Sequence, residues 1–191
     1  MSAAKKGKLV VISGPSGVGK STICREILRR MDAVLSVSAT TRAKSPQETD
    51  GVDYRFITRE EFLDRVKKND FLEYAEVFGN LYGTLRDKVV QALNDGNIVI
   101  LEIDVQGGRQ VRQNYPEVVL IFVMPPQSGE LERRLSARAR DSAQVAKKRL
   151  EAAQREIAEA KEFYDYMVVN DNLEKAINEV MDIIKKEGIT K

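Results

Sequence analysis

Residues 14 to 21, "GPSGVGKS", restrict this chain more than any other eight residues in it. They follow the apolar run "KLVVIS" and open an amphipathic stretch over 19 to 30. They match G-x-x-x-x-G-K-[ST] at every fixed position. Glycines at such a strand-to-helix turn let successive backbone N–H groups face a phosphate, and the helix N-terminus adds positive partial charge. Gly14, Pro15, Ser16, Gly17, Val18, Gly19 and Thr22 are therefore candidates to line a nucleoside triphosphate. Lys20 is placed to reach its β- and γ-phosphates, and Ser21 to put a hydroxyl on Mg²⁺.

The rest of the chain repeats that strand-then-helix rhythm. Short apolar runs at 8 to 14, 33 to 38, 97 to 104, 118 to 125 and 166 to 170 read as strands buried on both faces of a parallel sheet. Helical patterns over 19 to 30, 84 to 95, 128 to 139, 142 to 163 and 172 to 187 lie between or after them. The expected fold class is a doubly wound α/β domain. Thr58 with Glu61 makes a capping box, and Gly96 stops the helix before it. Residues 36 to 83 break the rhythm: "VDYRFI" and "FLEYAEVFGNLYG" look like short antiparallel pieces, the second turning at Gly79-Asn80. A small inserted lobe is expected there.

Charge and composition exclude several function classes. With 31 basic and 29 acidic residues the formal net charge is +2, so no global field points to nucleic acid or a membrane surface. There is no histidine, which rules out an imidazole base or zinc ligand. The lone cysteine, Cys24, excludes an intramolecular disulfide and fits a reducing compartment, the cytoplasm by default. The N-terminal apolar run is too short for a signal or membrane segment.

A carboxylate at the end of a neighbouring strand commonly completes a magnesium site, and Asp104, closing "IVILEID", is the candidate; a helix cap is its other reading. The stretch 131 to 150 holds seven basic residues and two acidic ones. Arg134, Arg138, Arg140 and Arg149 could close over a transferring phosphoryl group as a cationic lid, or form a solvated helix face. Residues 36 to 56, "SVSATTRAKSPQETDGVDYRF", carry arginines, tyrosines and hydroxyls suited to an anion. No negative partner for these donors is expected nearby in sequence.

Taken together, "GPSGVGKST", "SVSATTR", "DGVDYRFI", "FLEYAEVFGNLYGT", "LEIDVQGG" and "VVND" resemble guanylate kinases in order and spacing over essentially the whole chain. The resemblance implies a P-loop kinase fold of three parts: a core (1–35, 84–130 and 160–191), a GMP-binding lobe (36–83) and a helical lid (131–159). It implies transfer of the ATP γ-phosphate to GMP, with Mg²⁺ accompanying ATP and no nucleic acid, membrane or obligate protein partner. Whether dGMP also serves is left open.

Guanine offers N1–H and N2–H₂ donors on one edge, which suits a carboxylate at Glu73, and family likeness adds Ser38, Thr84 and Glu102 around the base. A rim position on a hairpin is the other reading of Glu73. By the same likeness Arg42, Tyr54 and Tyr82 grip the GMP phosphate, Arg134 lies on the ATP side, and Asn170 lies near adenine. Lys20, Arg42, Arg138 and Arg149 would carry the catalysis. One departure stands out: Ser45 occupies a position where the family commonly has a second arginine, so Lys44 is expected to substitute in part, as a point charge without the fork geometry. Two other readings remain: a P-loop kinase for another phosphorylated small acceptor, and a non-catalytic guanylate-kinase-like module that binds phosphopeptides.

Overall fold

In the computed structural model, residues 7–77, 79–126 and 143–188 are described, without the side chains of 143–150 and 188. Among the described residues nine strands form two sheets: β1 (Lys8–Ser13), β2 (Ala33–Leu35), β3 (Ala39–Thr40), β4 (Arg55–Phe56), β5 (Phe71–Val77), β6 (Asn80–Leu85), β7 (Ile98–Glu102), β8 (Val119–Met124) and β9 (Tyr166–Val169). The described helices are α1 (Lys20–Arg30), α2 (Arg59–Lys67), α3 (Arg86–Asn94), α4 (Val105–Asn114), α5 (Ala143–Phe163) and α6 (Leu173–Gly188).

The larger sheet runs β2-β7-β1-β8-β9, and every pairing in it is parallel. Its central strands are continuous β-branched and leucine runs because both faces are covered. Val10, Ile12, Ile100 and Ile121 pack with Ile23 and Ile27 of α1 and Ile177 and Val180 of α6, while Leu9, Val11, Leu101 and Leu120 pack on the other face with Val89 of α3 and Val111 of α4. The edge strand β2 departs from the expected pattern. It ends at Leu35 rather than reaching residue 38, and Val34 and Leu35 are exposed, since an edge strand has only one neighbour to cover it. Strand order reverses at β1, which is flanked by β7 and β8, and open α/β sheets bind ligands beyond the carboxyl ends of the strands at such a point.

The second sheet, β4-β3-β6-β5, has its own small core of Ala39, Phe62, Phe71, Leu81 and Leu85, with Phe62 stacked on Phe71 at 4.3 Å between ring centroids. The hairpin β5–β6 is antiparallel as its alternation implies. The piece within "VDYRFI" is not: β4 pairs in parallel with β3, Ala39 beside Arg55 and Thr40 beside Phe56. The intervening loop of residues 41 to 54 is long enough to carry the chain back before it re-enters the sheet, so no hairpin is forced. Thr58 caps α2 by accepting from the Glu61 N–H at 3.0 Å, as the capping box predicts.

Helix α5 is tied to α4 by Glu159, which accepts from Gln106 Nε2 (2.9 Å) and from Arg109 (3.0 Å). Arg109 in turn lies 4.4 Å from the Phe163 ring.

Candidate active site

The β1–α1 turn sits where the sequence puts it. Register places Ile12 beside Glu102, the last residue of β7, and Ser13 beside Phe122 of β8, so the loop from Gly14 leaves the sheet past the carboxyl end of β7 with Val123 of β8 still alongside. Helices α2 and α4 are capped by their own side chains, whereas α1 is preceded by Gly19 (φ 103°), which supplies none. The first N–H groups of α1 thus remain available to an anion. Lys20 folds over the loop, its Nζ donating to the carbonyls of Gly14 and Pro15 (3.1 Å to the latter). Burial pulls its pKa down, an effect opposed by the nearby carboxylates of Glu102, Glu156 and Asp104.

Ser21 and Glu102 come together more closely than the sequence suggests. The Ser21 hydroxyl donates to Glu102 Oε1 at 2.6 Å. Asp104 is the N-cap of α4, where its Oδ1 accepts the Gly107 N–H at 2.8 Å. The helix-cap reading of Asp104 is therefore the one observed for one oxygen, and Glu102, placed by resemblance near the base, is the carboxylate that meets the P-loop hydroxyl. Among the described residues no group of three or more acidic, cysteine or histidine side chains is arranged to hold a metal. A hydroxyl with one or two carboxylates nonetheless fits Mg²⁺, which keeps several waters and takes further ligands from nucleotide phosphates.

Asn170 is only 5 % exposed, and its side chain donates to the Val18 carbonyl at 2.8 Å while its own N–H donates to Met124. It braces the phosphate loop from beneath. A Cβ on Gly19 would stand 2.7 Å from Asn170 Nδ2, and at φ 103° a side chain there would be strained in any case. Removing the amide in Asn170→Ala leaves the buried Val18 carbonyl without that donor, and with ATP on the loop and GMP on the lobe, as the resemblance implies, the ATP KM should rise roughly tenfold and the GMP KM change far less. Steady-state titration of each substrate checks this.

The lobe gathers a second cluster. Glu73 is 7 % exposed and accepts the Thr84 hydroxyl at 2.6 Å. A bulge between Phe71 and Glu73 shifts the β5–β6 register, setting Glu73 opposite Thr84 while Leu72 turns into the main core. Burial pushes the Glu73 carboxyl up to about 7, with the Thr84 hydrogen bond opposing. Gly107 of α4 lets the helix approach: a Cβ there would lie 3.2 Å from Glu73 Oε2. The Tyr54 and Tyr82 rings meet edge to face at 5.9 Å, and the Arg42 guanidinium lies 5.4 Å from the Tyr54 centroid. Ser38 precedes β3 and is half-buried, its carbonyl accepting the Arg55 N–H at 2.9 Å.

One expectation about this loop is overturned. Arg42 does have an acidic partner nearby: Glu48 takes Nη2 at 2.6 Å and Nη1 at 3.0 Å. Six residues separate the pair, and a turn over Ser45–Glu48 brings them together. Lys44 donates to the Glu48 carbonyl at 2.8 Å. Sequence reasoning also missed Tyr164, whose hydroxyl donates to Ser13 Oγ at 2.7 Å under the loop. Arg134, Arg138 and Arg140 lie outside the described residues, and Arg149 falls on α5 with its side chain likewise outside them.

A glycine-rich loop with a lysine at the end of β1 thus shares the chain with a lobe that carries a buried carboxylate and an arginine–tyrosine cluster. The family model described as guanylate kinase matches residues 6–187. The chain belongs to the guanylate kinase family. Among proteins of that name it is 48% identical to the one from Carboxydothermus hydrogenoformans over 185 residues, covering 96% of this chain and 90% of that one. It is 49% identical to the Thermotoga maritima guanylate kinase over 183 residues, covering 95% and 88%. The crystal structure of guanylate kinase from Anaplasma phagocytophilum superposes with a TM-score of 0.77 at 35% identity, covering 98% of this chain and 89% of that chain. Among the described residues no helix is long and apolar enough to cross a membrane.

Proposed function

We propose that this chain transfers the γ-phosphoryl group of ATP to GMP, giving ADP and GDP. The observation that carries the reading is the buried Glu73 carboxylate beside Thr84, in the same chain as the Lys20 loop. A carboxylate there accepts from guanine N1–H and N2–H₂, whereas adenine presents an acceptor at N1.

The GMP phosphate is already an anionic nucleophile, so a chain without histidine needs no general base. One of its oxygens forms a bond to the γ-phosphorus as the bond to the bridging oxygen of ADP breaks. Such catalysis is mostly positioning and electrostatic stabilisation. Arg42, Tyr54 and Tyr82 hold the acceptor phosphate, with Lys44 adding a weaker point charge. Lys20 and the loop amides hold the donor phosphates, and Arg138 and Arg149 of the lid stabilise charge on the transferring group. Mg²⁺, held by Ser21 with Glu102 or Asp104, would neutralise charge on the ATP phosphates. The lone cysteine suits a reducing compartment, the cytoplasm.

An acceptor screen with ATP and Mg²⁺ tests the assignment. GMP should be phosphorylated with a kcat/KM roughly 10⁴-fold above AMP or UMP, because a site built for a substrate's hydrogen bonds rejects analogues that lack them. Preference for a ribose phosphate, or binding of GMP without turnover, would favour the two alternatives named from the sequence.

A further inference from the structure

We propose that Glu48 is a positioning residue for the acceptor phosphate: its carboxylate grips the Nη1–Nη2 end of the Arg42 guanidinium and presents the remaining edge of that fork to GMP. The inference rests on the reading of Arg42 as a ligand of the GMP phosphate. Glu48 itself is fixed from several sides. Its carboxylate accepts from Arg42 Nη1 (3.0 Å), Arg42 Nη2 (2.6 Å) and the Ser45 N–H (2.8 Å). Its own N–H donates to the Ser45 carbonyl at 3.1 Å, closing a turn with Pro46 at the second position, where the ring's fixed φ suits it.

An arginine has five donors in a rigid plane. Glu48 takes one from each terminal nitrogen, and Nη1 gives its other to the Ala43 carbonyl at 2.9 Å. Nε–H and the second Nη2 hydrogen lie side by side on the one edge left, which matches two oxygens of a phosphate. That plane rests over the rings of Tyr54 (5.4 Å) and Phe56 (5.7 Å). The side chain is thus ordered before substrate arrives, so less rotamer freedom is lost on binding. Arg42 holds the Glu48 carboxyl down at about 2, which keeps it ionised at any pH where the kinase works. With Ser45 in place of a second arginine, this chain depends on one guanidinium, and its aim matters correspondingly more.

The test measures kcat, GMP KM and ATP KM for Glu48→Ala, Glu48→Gln, Arg42→Ala and the Arg42→Ala/Glu48→Ala double variant, with melting temperatures alongside. Glu48→Ala should raise GMP KM roughly tenfold or more, the loss of one aligned charged hydrogen bond, with ATP KM within about twofold of wild type. Glu48→Gln keeps the size and one acceptor and should fall between; it carries the test if the alanine variant fails to fold. Because Glu48 acts through Arg42, the double variant should be no worse than Arg42→Ala alone. An unchanged GMP KM in Glu48→Ala overturns the inference, and a lowered one does so too, since it would make Glu48 a competitor of the substrate. Additive losses in the double variant also overturn it while leaving the Arg42 reading intact. If Arg42→Ala leaves GMP KM unchanged, the Arg42 reading fails and takes the inference with it.

Discussion

Lys20→Met is expected to lower kcat for GMP phosphorylation by roughly 10³-fold while shifting the GMP dissociation constant less than about twofold, a loss of the size seen when one preorganised donor to a developing charge is removed. Methionine keeps most of the volume and the unbranched stem, so the change is chiefly the loss of the ammonium. The geometry makes the effect specific. Lys20 Nζ bonds the Gly14 and Pro15 carbonyls across the mouth of the loop, in surroundings where burial disfavours its charge. The carboxylates of Glu102, Glu156 and Asp104 oppose that cost in part. In a partly desolvated site such a charge is worth more to transferring phosphate oxygens than it would be in water. The acceptor cluster around Glu73, Arg42 and Tyr54 belongs to the other sheet and its loop, so GMP affinity should survive. Rapid-quench turnover with calorimetric GMP binding separates the two quantities, and a variant retaining full turnover would sink the role given to Lys20.

How much of this was legible in the sequence depends on the range over which each contact is specified. The loop at 14 to 21 was fully legible, because strand, glycine turn and helix are contiguous and each glycine answers a local requirement. Thr58 with Glu61 was legible for the same reason. The direction of β4 was not: two residues carry no alternation, and only the return path of the 41 to 54 loop sets it parallel to β3. Asp104 shows a different limit. Its position at the end of a strand allows both a metal ligand and a helix cap, and only the Gly107 N–H at 2.8 Å shows that one oxygen caps α4. Glu102 and Ser21 lie 81 residues apart, and it is the β1–β7 register that makes them neighbours. Glu48 lies within reach of simple inspection, six residues from Arg42, and the Pro46 turn was the available signal. Asn170 and Gly19 form a pair whose meaning is visible only when β9 is placed beside β8 and the loop lies over both.

For GMP, kcat/KM should rise as pH increases toward about 7 and level off above it, and Glu73→Gln should abolish that rise while lowering the plateau by roughly 10³- to 10⁴-fold. The cause is the burial that lifts the Glu73 carboxyl to about 7. A neutral carboxyl carries a proton where guanine also offers hydrogens, so only the ionised form accepts from both N1–H and N2–H₂. The profile of kcat/KM reports the free enzyme, in which this ionisation must come first. Folding stability runs the other way. Below the ordinary carboxylate value of 4.5 both folded and unfolded chains are protonated at this residue. Between 4.5 and about 7 the folded chain keeps a proton that the unfolded chain has released, so Glu73's contribution declines with each step up in pH, by at most about 1.4 kcal/mol per unit. Above about 7 both are ionised and the decline stops. Glu73→Gln has no charge to bury, so its melting temperature should lack that decline even as GMP selectivity collapses. The same residue would then weaken the ligand-free fold and read the base, and GMP should restore at neutral pH the stability that the buried charge removes. Melting curves from pH 5 to 8, with and without GMP, check both halves, and a kcat/KM profile flat through pH 7 would remove Glu73 from the base.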